Sequence, residues 1–315
     1  MTGYIIRRVL QSLLVVILVS IVTFLLTDLL PGGPARAILG PKATAQQIQD
    51  FIHANGYDRP LPVQYGIWVN NILHGNFGYS VKLNQSVGDL IVDRLPKTIV
   101  LMAISIGVAL IIAVPLGIYQ ARRRNTIGDY TVTTLSFIFY AMPSFLLGLL
   151  LVLVFSTDLG WFSPTAPQTG NIGQILSQFN SLVLPVATLA LITIATFSRY
   201  MRSSVMENLT QEYVRTALAN GATDRRVMVV HVLRNALIPI ATLLGLSLPA
   251  LVAGAAITES VFNYPGMGYT FINEAEVRDY PTILGIALVI SVATVIGSLL
   301  ADIAYAALDP RVKYS

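Results

Sequence analysis

The sequence has no cysteine and little charge: none of its 315 residues is Cys, and only 11% are Asp, Glu, Lys or Arg. Without thiols there is no disulfide, no thiol nucleophile and no cysteine metal site, and the redox compartment stays open. His53, His74 and His231 stand far apart with no ligand spacing between them, so no metal site is expected. No Gly-Lys dipeptide occurs, which removes a Walker A phosphate loop and with it any ATPase built on one. The nearest approach to a nucleophile elbow, Gly245-Leu246-Ser247-Leu248-Pro249, lacks its closing glycine, and no histidine lies in any long apolar run. Intramembrane hydrolysis is therefore disfavoured, and the Ser247 hydroxyl is expected to bond back to a helix carbonyl.

What the chain does have is apolar surface. Hydrophobic residues make up 54% of it and the mean hydropathy is positive, too much for one soluble core, so the solvent is lipid. Six runs are long enough to cross a bilayer: 9–27, 99–119, 130–155, 182–197, 236–258 and 282–305. An all-α integral membrane protein with six transmembrane helices follows. The first run is too long for a signal h-region, although Ala35-Arg36-Ala37 resembles a cleavage site. The formal charge of +4 reflects basic residues at the ends of runs, which is membrane topology and not nucleic-acid binding. Thirteen of the 20 Lys and Arg fall in segments that alternation makes cytoplasmic, which places both termini in the cytoplasm.

Three parts are expected: an N-terminal tail with the first transmembrane helix (1–30), an external loop subdomain (31–97), and a transmembrane core (98–315) carrying a cytoplasmic loop at 200–236. In the external loop, which begins at Pro31, Thr44 and Gln47 fit a capping box, Ile48, Phe51 and Ile52 make one face, and Gly56 is a stop signal. A helix near 45–54 is predicted. Tyr65 and Trp68 have the character of interfacial anchors. Further external loops are expected at 158–181 and 259–281, the latter with the composition to dip back into the bilayer. No apolar run has a charge near its middle. Asp28 and Asp302 lie toward run ends, so a built-in proton relay is not expected and the energy comes from elsewhere or transport is passive. Pro115, Pro143, Pro185, Pro239 and Pro249 interrupt the runs, and such breaks persist only where protein or a wet cavity satisfies the freed groups.

Residues 211–240 form a charged island between apolar runs, with Gly221 where two helical patterns meet. The pattern predicts a helical hairpin broken at Asn220-Gly221, with Val214, Leu218, Val227 and Val230 docking on the span ends. Ala222, Asp224 and the arginines would protrude. Composition alone permits an ordinary basic loop here as readily as a handle gripped by a second protein.

The stretch RTALANG followed by HVLRNALIP resembles the cytoplasmic EAA loop of permease subunits in binding-protein-dependent ABC importers. Ala217, Gly221 and Leu233 match its alanine, glycine and leucine. Arg215, Thr216, His231 and Arg234 depart from the general form, and the proline arrives late, at Pro239. The dipeptide/oligopeptide permease variant is closer, and the likeness runs along the chain. It includes Gln64, Tyr65, Trp68, Leu73, Gly75, Phe77, Gly78 and Ser80; Arg94-Leu95-Pro96 with Thr98; Val261-Phe262 with Pro265-Gly266-Met267-Gly268; and Arg278-Asp279-Tyr280-Pro281. It reaches the ending, at Asp302, Tyr305, Ala306 and 308–311.

The resemblance implies a type I ABC importer permease fold in a bacterial or archaeal cytoplasmic membrane, working by alternating access. It implies a homologous second permease subunit, two ABC ATPase subunits or domains that bind ATP and Mg, and an external solute-binding protein; no cofactor or metal belongs to this chain. Glu212, Arg215, Ala217, Gly221, Ala222, Asp224, Arg225 and Arg226 would couple to the ATPase. Tyr140, Ser144 and Ser247 are candidates for lining the pathway, and Phe262 and Tyr264 for an external gate. Short peptides are the expected cargo. Nickel, glutathione or another small solute is the alternative within the family, and an ion-coupled carrier or channel the alternative outside it.

Overall fold

An uncharged run in lipid satisfies its backbone by bonding each amide within its own helix. The computed structural model, which describes residues 2–29, 33–40, 42–80, 82–168, 172–253 and 255–308, follows that rule along most of each run. The chain opens with α1 (Thr2–Asp28), α2 (Gly33–Leu39), α3 (Ala45–Asn55) and α4 (Leu61–Leu73), then a short antiparallel hairpin, β1 (Tyr79–Ser80) and β2 (Gln85–Ser86). The long α5 (Val87–Arg122) leads to α6 (Ile127–Ala141) and α7 (Ser144–Leu151), which continues as a π-helical turn, Val152–Asp158. After α8 (Ile172–Ser177) and α9 (Phe179–Leu209) come α10 (Glu212–Ala219), α11 (Asp224–Arg226), a second π turn (Val227–Val232), α12 (Leu233–Ala236) and α13 (Ile238–Ala253). The chain ends with α14 (Ala256–Val261), α15 (Met267–Glu276) and α16 (Tyr280–Leu308). Pro31, Asp309, Arg311 and Lys313 lie outside the described residues, as do the side chains of Asp28 and Asp302.

Among the described residues, five helices are long and apolar enough to cross a membrane, within Ile6–Leu26, Val87–Arg122, Phe179–Leu209, Asp224–Val252 and Tyr280–Ala301. The sixth crossing expected, at 130–155, is instead a broken one: α6 and α7 meet at 110°. Pro143 is the cause. It has no N–H to give and sits in an extended conformation (φ −58°, ψ 138°), so α6 ends with Met142 N bonded to Ile138 O and α7 starts afresh.

Two other expectations shift. Helix α5 begins at Val87, so the boundary drawn at residue 97 falls inside it; the Ser86 hydroxyl caps Asp89 N, and Asp93 pairs with Lys97 one turn on at 2.8 Å. The segment 259–281 is not a loop but α14, α15 and the first turn of α16. The predicted helix at 45–54 is α3, with both bonds of its capping box present and Gly56 left-handed at φ 70°. Tyr65 and Trp68 of α4 turn toward α1, with Phe24 5.5 and 5.9 Å from their ring centres and Ser20 Oγ 2.7 Å from Tyr65 Oη.

The core is centred on α5 against α9. Ala109, Ala113, Gly117 and Ala121 recur every fourth residue along α5 and are all buried, facing Ile194, Phe197, Met201 and Val205 of α9. A Cβ on Gly117 would stand 2.6 Å from Met201 Cβ and 2.8 Å from Ser198 O. Small residues at this spacing let helix backbones approach closely where lipid supplies no hydrophobic drive.

Candidate functional site

The charged island folds as a hairpin of short helices at the end of the bundle that carries Arg122–Arg124. Helix α10 stops in a Schellman turn: Gly221 N bonds Leu218 O at 2.9 Å and Ala222 N bonds Ala217 O at 3.1 Å. Gly221 takes φ +79°, which costs a residue with a side chain about 1–2 kcal/mol. A Cβ there would meet nothing within 4 Å. Thr223 then caps α11. Val214, Val227 and Met228 are buried and fasten the hairpin to the α5–α9 core.

The outward face differs in part from expectation. Leu218 and Val230 are exposed, not docked, while Ala222 packs partly against the core instead of protruding. In the π turn that follows, Val227, Met228 and Val232 face inward and Val230 outward. Glu212 and Arg215 pair at 3.0 Å on the open surface, and Ala217 is half-buried beneath them. Asp224, Arg225 and Arg226 are exposed and form no ion pair among the described residues. Asp224 lies on the rim of a cleft of about 390 Å³ that Arg122, Arg124, Thr210, Val214 and Met228 also line.

About two turns back along α9 from Thr210, Arg202 grips the buried Asp129 of α6 through two hydrogen bonds, 2.9 and 2.8 Å, and Asn125 N donates to the same carboxylate at 3.1 Å. Gln120 Nε2 reaches Thr133 Oγ1 at 3.1 Å, tying α5 to α6. Tyr140 is 53% exposed near the α6–α7 corner, and its ring centre lies 4.6 Å from the Arg199 guanidinium carbon. Ser144, half-buried, begins α7 at the same corner. Ser247 is elsewhere, on α13, and donates to Leu243 O at 2.8 Å, the back-bond expected of it. Phe262 and Tyr264 do not stand at an opening. Both are 0% exposed, packed with Leu101, Leu182 and Leu184, and Tyr264 Oη donates to Lys97 O at 2.7 Å. They are buried because α14 turns back onto α7, where Phe262 and Val261 come within 3.3 Å of the place a Gly148 Cβ would occupy.

At the far end of the bundle, the motifs that look separate in the sequence meet. Thr98 Oγ1 donates to Glu259 Oε1 at 2.9 Å and accepts from Met267 N at 2.8 Å, while Tyr269 N donates to Glu259 Oε2 at 2.9 Å. Arg94 Nη1 donates to Pro265 O at 3.2 Å. Ser80 Oγ donates to Asp279 Oδ2, which also accepts from Thr282 Oγ1 at 2.8 Å. Burial pushes the Glu259 carboxyl above the usual carboxylate range, and its bonds to Tyr269 N and Thr98 pull the other way. These clasps, like the Asp129–Arg202 pair, are missed by reading the chain piece by piece. The available signal was an acid and a base, or an acid and a hydroxyl, on segments that six-span topology brings to the same side.

The family described as binding-protein-dependent transport system inner membrane component matches residues 113–314, and its N-terminal companion matches residues 1–102. The oligopeptide transport system permease protein AppB of Bacillus subtilis is 39% identical over 316 residues, covering 100% of both chains. A protein of Brucella ovis provisionally named as a peptide permease is 41% identical over 321 residues, with 99% of each chain covered. A probable peptide ABC transporter permease protein of Sinorhizobium fredii is 37% identical over 311 residues, again with 99% of each covered.

Proposed function

Since the chain belongs to the family of inner-membrane components of binding-protein-dependent transport systems, a multi-pass permease of the cytoplasmic membrane, we propose that it moves short peptides inward as one subunit of an ATP-driven importer. Peptide cargo rests on the names of relatives that match end to end. A homologous permease would complete the pathway, a solute-binding protein would deliver cargo outside, and two ATPase subunits inside would hold ATP and Mg. The end carrying Arg122–Arg124 and the island would face the cytoplasm, as the excess of Lys and Arg there favours.

The observation that carries the mechanism is the island's geometry. A glycine turn with empty space around it, Asp224, Arg225 and Arg226 projecting, and Val214, Val227 and Met228 rooted in the α5–α9 core make a surface that a partner can push. Force applied at Gly221–Arg226 would pass directly to the two helices that form the centre of the bundle, turning them between inward- and outward-facing states. Tyr140 and Ser144 at the α6–α7 corner remain the candidates for the pathway wall.

Gly221→Trp tests the coupling. The left-handed φ costs the variant about 1–2 kcal/mol, but a Cβ there meets nothing within 4 Å, so the chain is expected to fold and insert while the added bulk obstructs a docked partner. In the purified assembly, peptide-stimulated ATP hydrolysis should fall at least about tenfold, about 1.4 kcal/mol of lost coupling, with membrane insertion unchanged. Survival of peptide-stimulated hydrolysis would overturn the coupling role.

A further inference from the structure

Two arginines stand three residues apart on α9, and the structure treats them differently. Arg202 is neutralised by Asp129 through two hydrogen bonds. Arg199 forms neither an ion pair nor a hydrogen bond among the described residues; its guanidinium carbon lies 4.6 Å from the ring centre of Tyr140 and 5.5 Å from that of Phe137. Three residues of helix are about 4.5 Å, so Arg199 is the deeper of the two, next to the uncharged stretch 179–198. Arg199 lies just past the run 182–197, where a long arginine side chain sits at the edge of the apolar layer. Stacking on the two rings engages its face and leaves its N–H donors without an acceptor among the described residues.

Its setting says what that acceptor is. Rings over a guanidinium occupy its face and leave the N–H donors, which lie in its plane, open at the edge. Tyr140 is three residues before Pro143, where the chain breaks at 110°. Among the described residues no side chain caps α7, and broken backbone within a span is tolerated only against protein or water. The corner thus combines freed backbone N–H groups with a fixed positive charge beside the exposed Tyr140. A planar acceptor of opposite charge, taken edge-on by two parallel hydrogen bonds, is what such an arginine fits. Among transported peptides of varied side chains, one group of that kind is always present: the C-terminal carboxylate. We propose that Arg199, set in place by Phe137 and Tyr140 at the α6–α7 corner, holds the C-terminal carboxylate of a peptide in transit. The proposal rests on the peptide-importer reading.

The test uses the whole assembly in liposomes, with one peptide offered as the free acid and as its C-terminal amide. ATP hydrolysis and uptake are read for wild type, Arg199→Gln and Arg199→Lys. The solute-binding protein is the same throughout, so its own preference cancels in the variant-to-wild-type ratio. Arg199→Gln should raise KM for the free acid about tenfold, the scale of one hydrogen-bonded charge, and change that for the amide less than about twofold; Arg199→Lys should fall between. Equal effects on acid and amide would overturn the proposal, as would no effect on either. An effect that appears only with anionic lipid in the liposomes would assign Arg199 to a lipid headgroup and overturn it too. If Arg199→Gln fails to assemble, wild type decides: equal handling of acid and amide beyond the binding protein's own preference sinks the idea. A wild-type assembly that answers to no peptide would instead bring down the peptide-importer reading itself.

Discussion

Two glycines show two separate reasons for lacking a side chain. Gly221 needs its left-handed φ of +79° but has room around it, whereas Gly266 has an ordinary φ of −98° and no room. A Cβ on Gly266 would fall 2.5 Å from Thr98 Oγ1 and 2.6 Å from Glu259 Oε2. The added methyl must push apart the hydroxyl and the carboxylate that hold α5 to α14, and both are buried. Gly266→Ala should therefore cost about 3 kcal/mol, overpacking together with a weakened buried hydrogen bond. Thermal melting of the detergent-solubilised protein checks this, with Gly221→Ala as the comparison at about 1 kcal/mol; equal melting of wild type and Gly266→Ala would remove the clasp as a source of stability.

At the scale of elements, the α5–α6 connection is fixed by one carboxylate. Asp129 caps the turn through Asn125 N, whose own residue is left-handed at φ 60°, and binds Arg202 across to α9. Asp129→Ala strands Arg202 and frees that turn. The expected loss is about 3 kcal/mol, the low end for breaking a buried pair because the Arg202 side chain keeps 29% of its exposure. Restored melting in the double variant Asp129→Ala, Arg202→Met would identify the stranded charge as the cause; an unrestored double variant would point to the turn instead. Helix identity was readable wherever one periodicity ruled, as in α3 with its cap and stop or α10 with its glycine. The 110° break was not: Pro143 announces an interruption, but its angle depends on what α7 packs against. The stripe Ala109, Ala113, Gly117 and Ala121 marks the α5–α9 seam, which the hydropathy of the run alone does not reveal. Phe262 and Tyr264 are legible as aromatics of the last external segment, whereas the fold-back of α14 that buries them is not. Arg199 and Arg202 look alike for the same reason, since only the third dimension gives one of them an acid.

For the whole molecule, the far end of the bundle is one place where pH acts on stability. Glu274 is buried on α15 with Oε2 unpartnered; burial first, and then the Asp279 carboxylate, raise its pKa, while Lys82 works against them. A carboxyl raised in the folded state favours folding in its protonated form, so its penalty is absent below the ordinary value near 4.5 and grows as pH rises through the raised one. Glu274→Gln removes the charge. Its melting temperature should exceed that of wild type at pH 7, with the gap closing as pH falls toward 4.5; a gap independent of pH would show that charge is not the cause. The same end also has a history in time. Ser80 waits for Asp279, 199 residues later, and Thr98 waits for Glu259, 161 residues later. At about 5–20 residues per second of synthesis, the hairpin would stand without its partner for about 10–40 s. A nascent permease is thus left unclasped until the residues that lead into its final crossing have been made, and a membrane protease could sort copies truncated before Asp279 from complete ones by that alone.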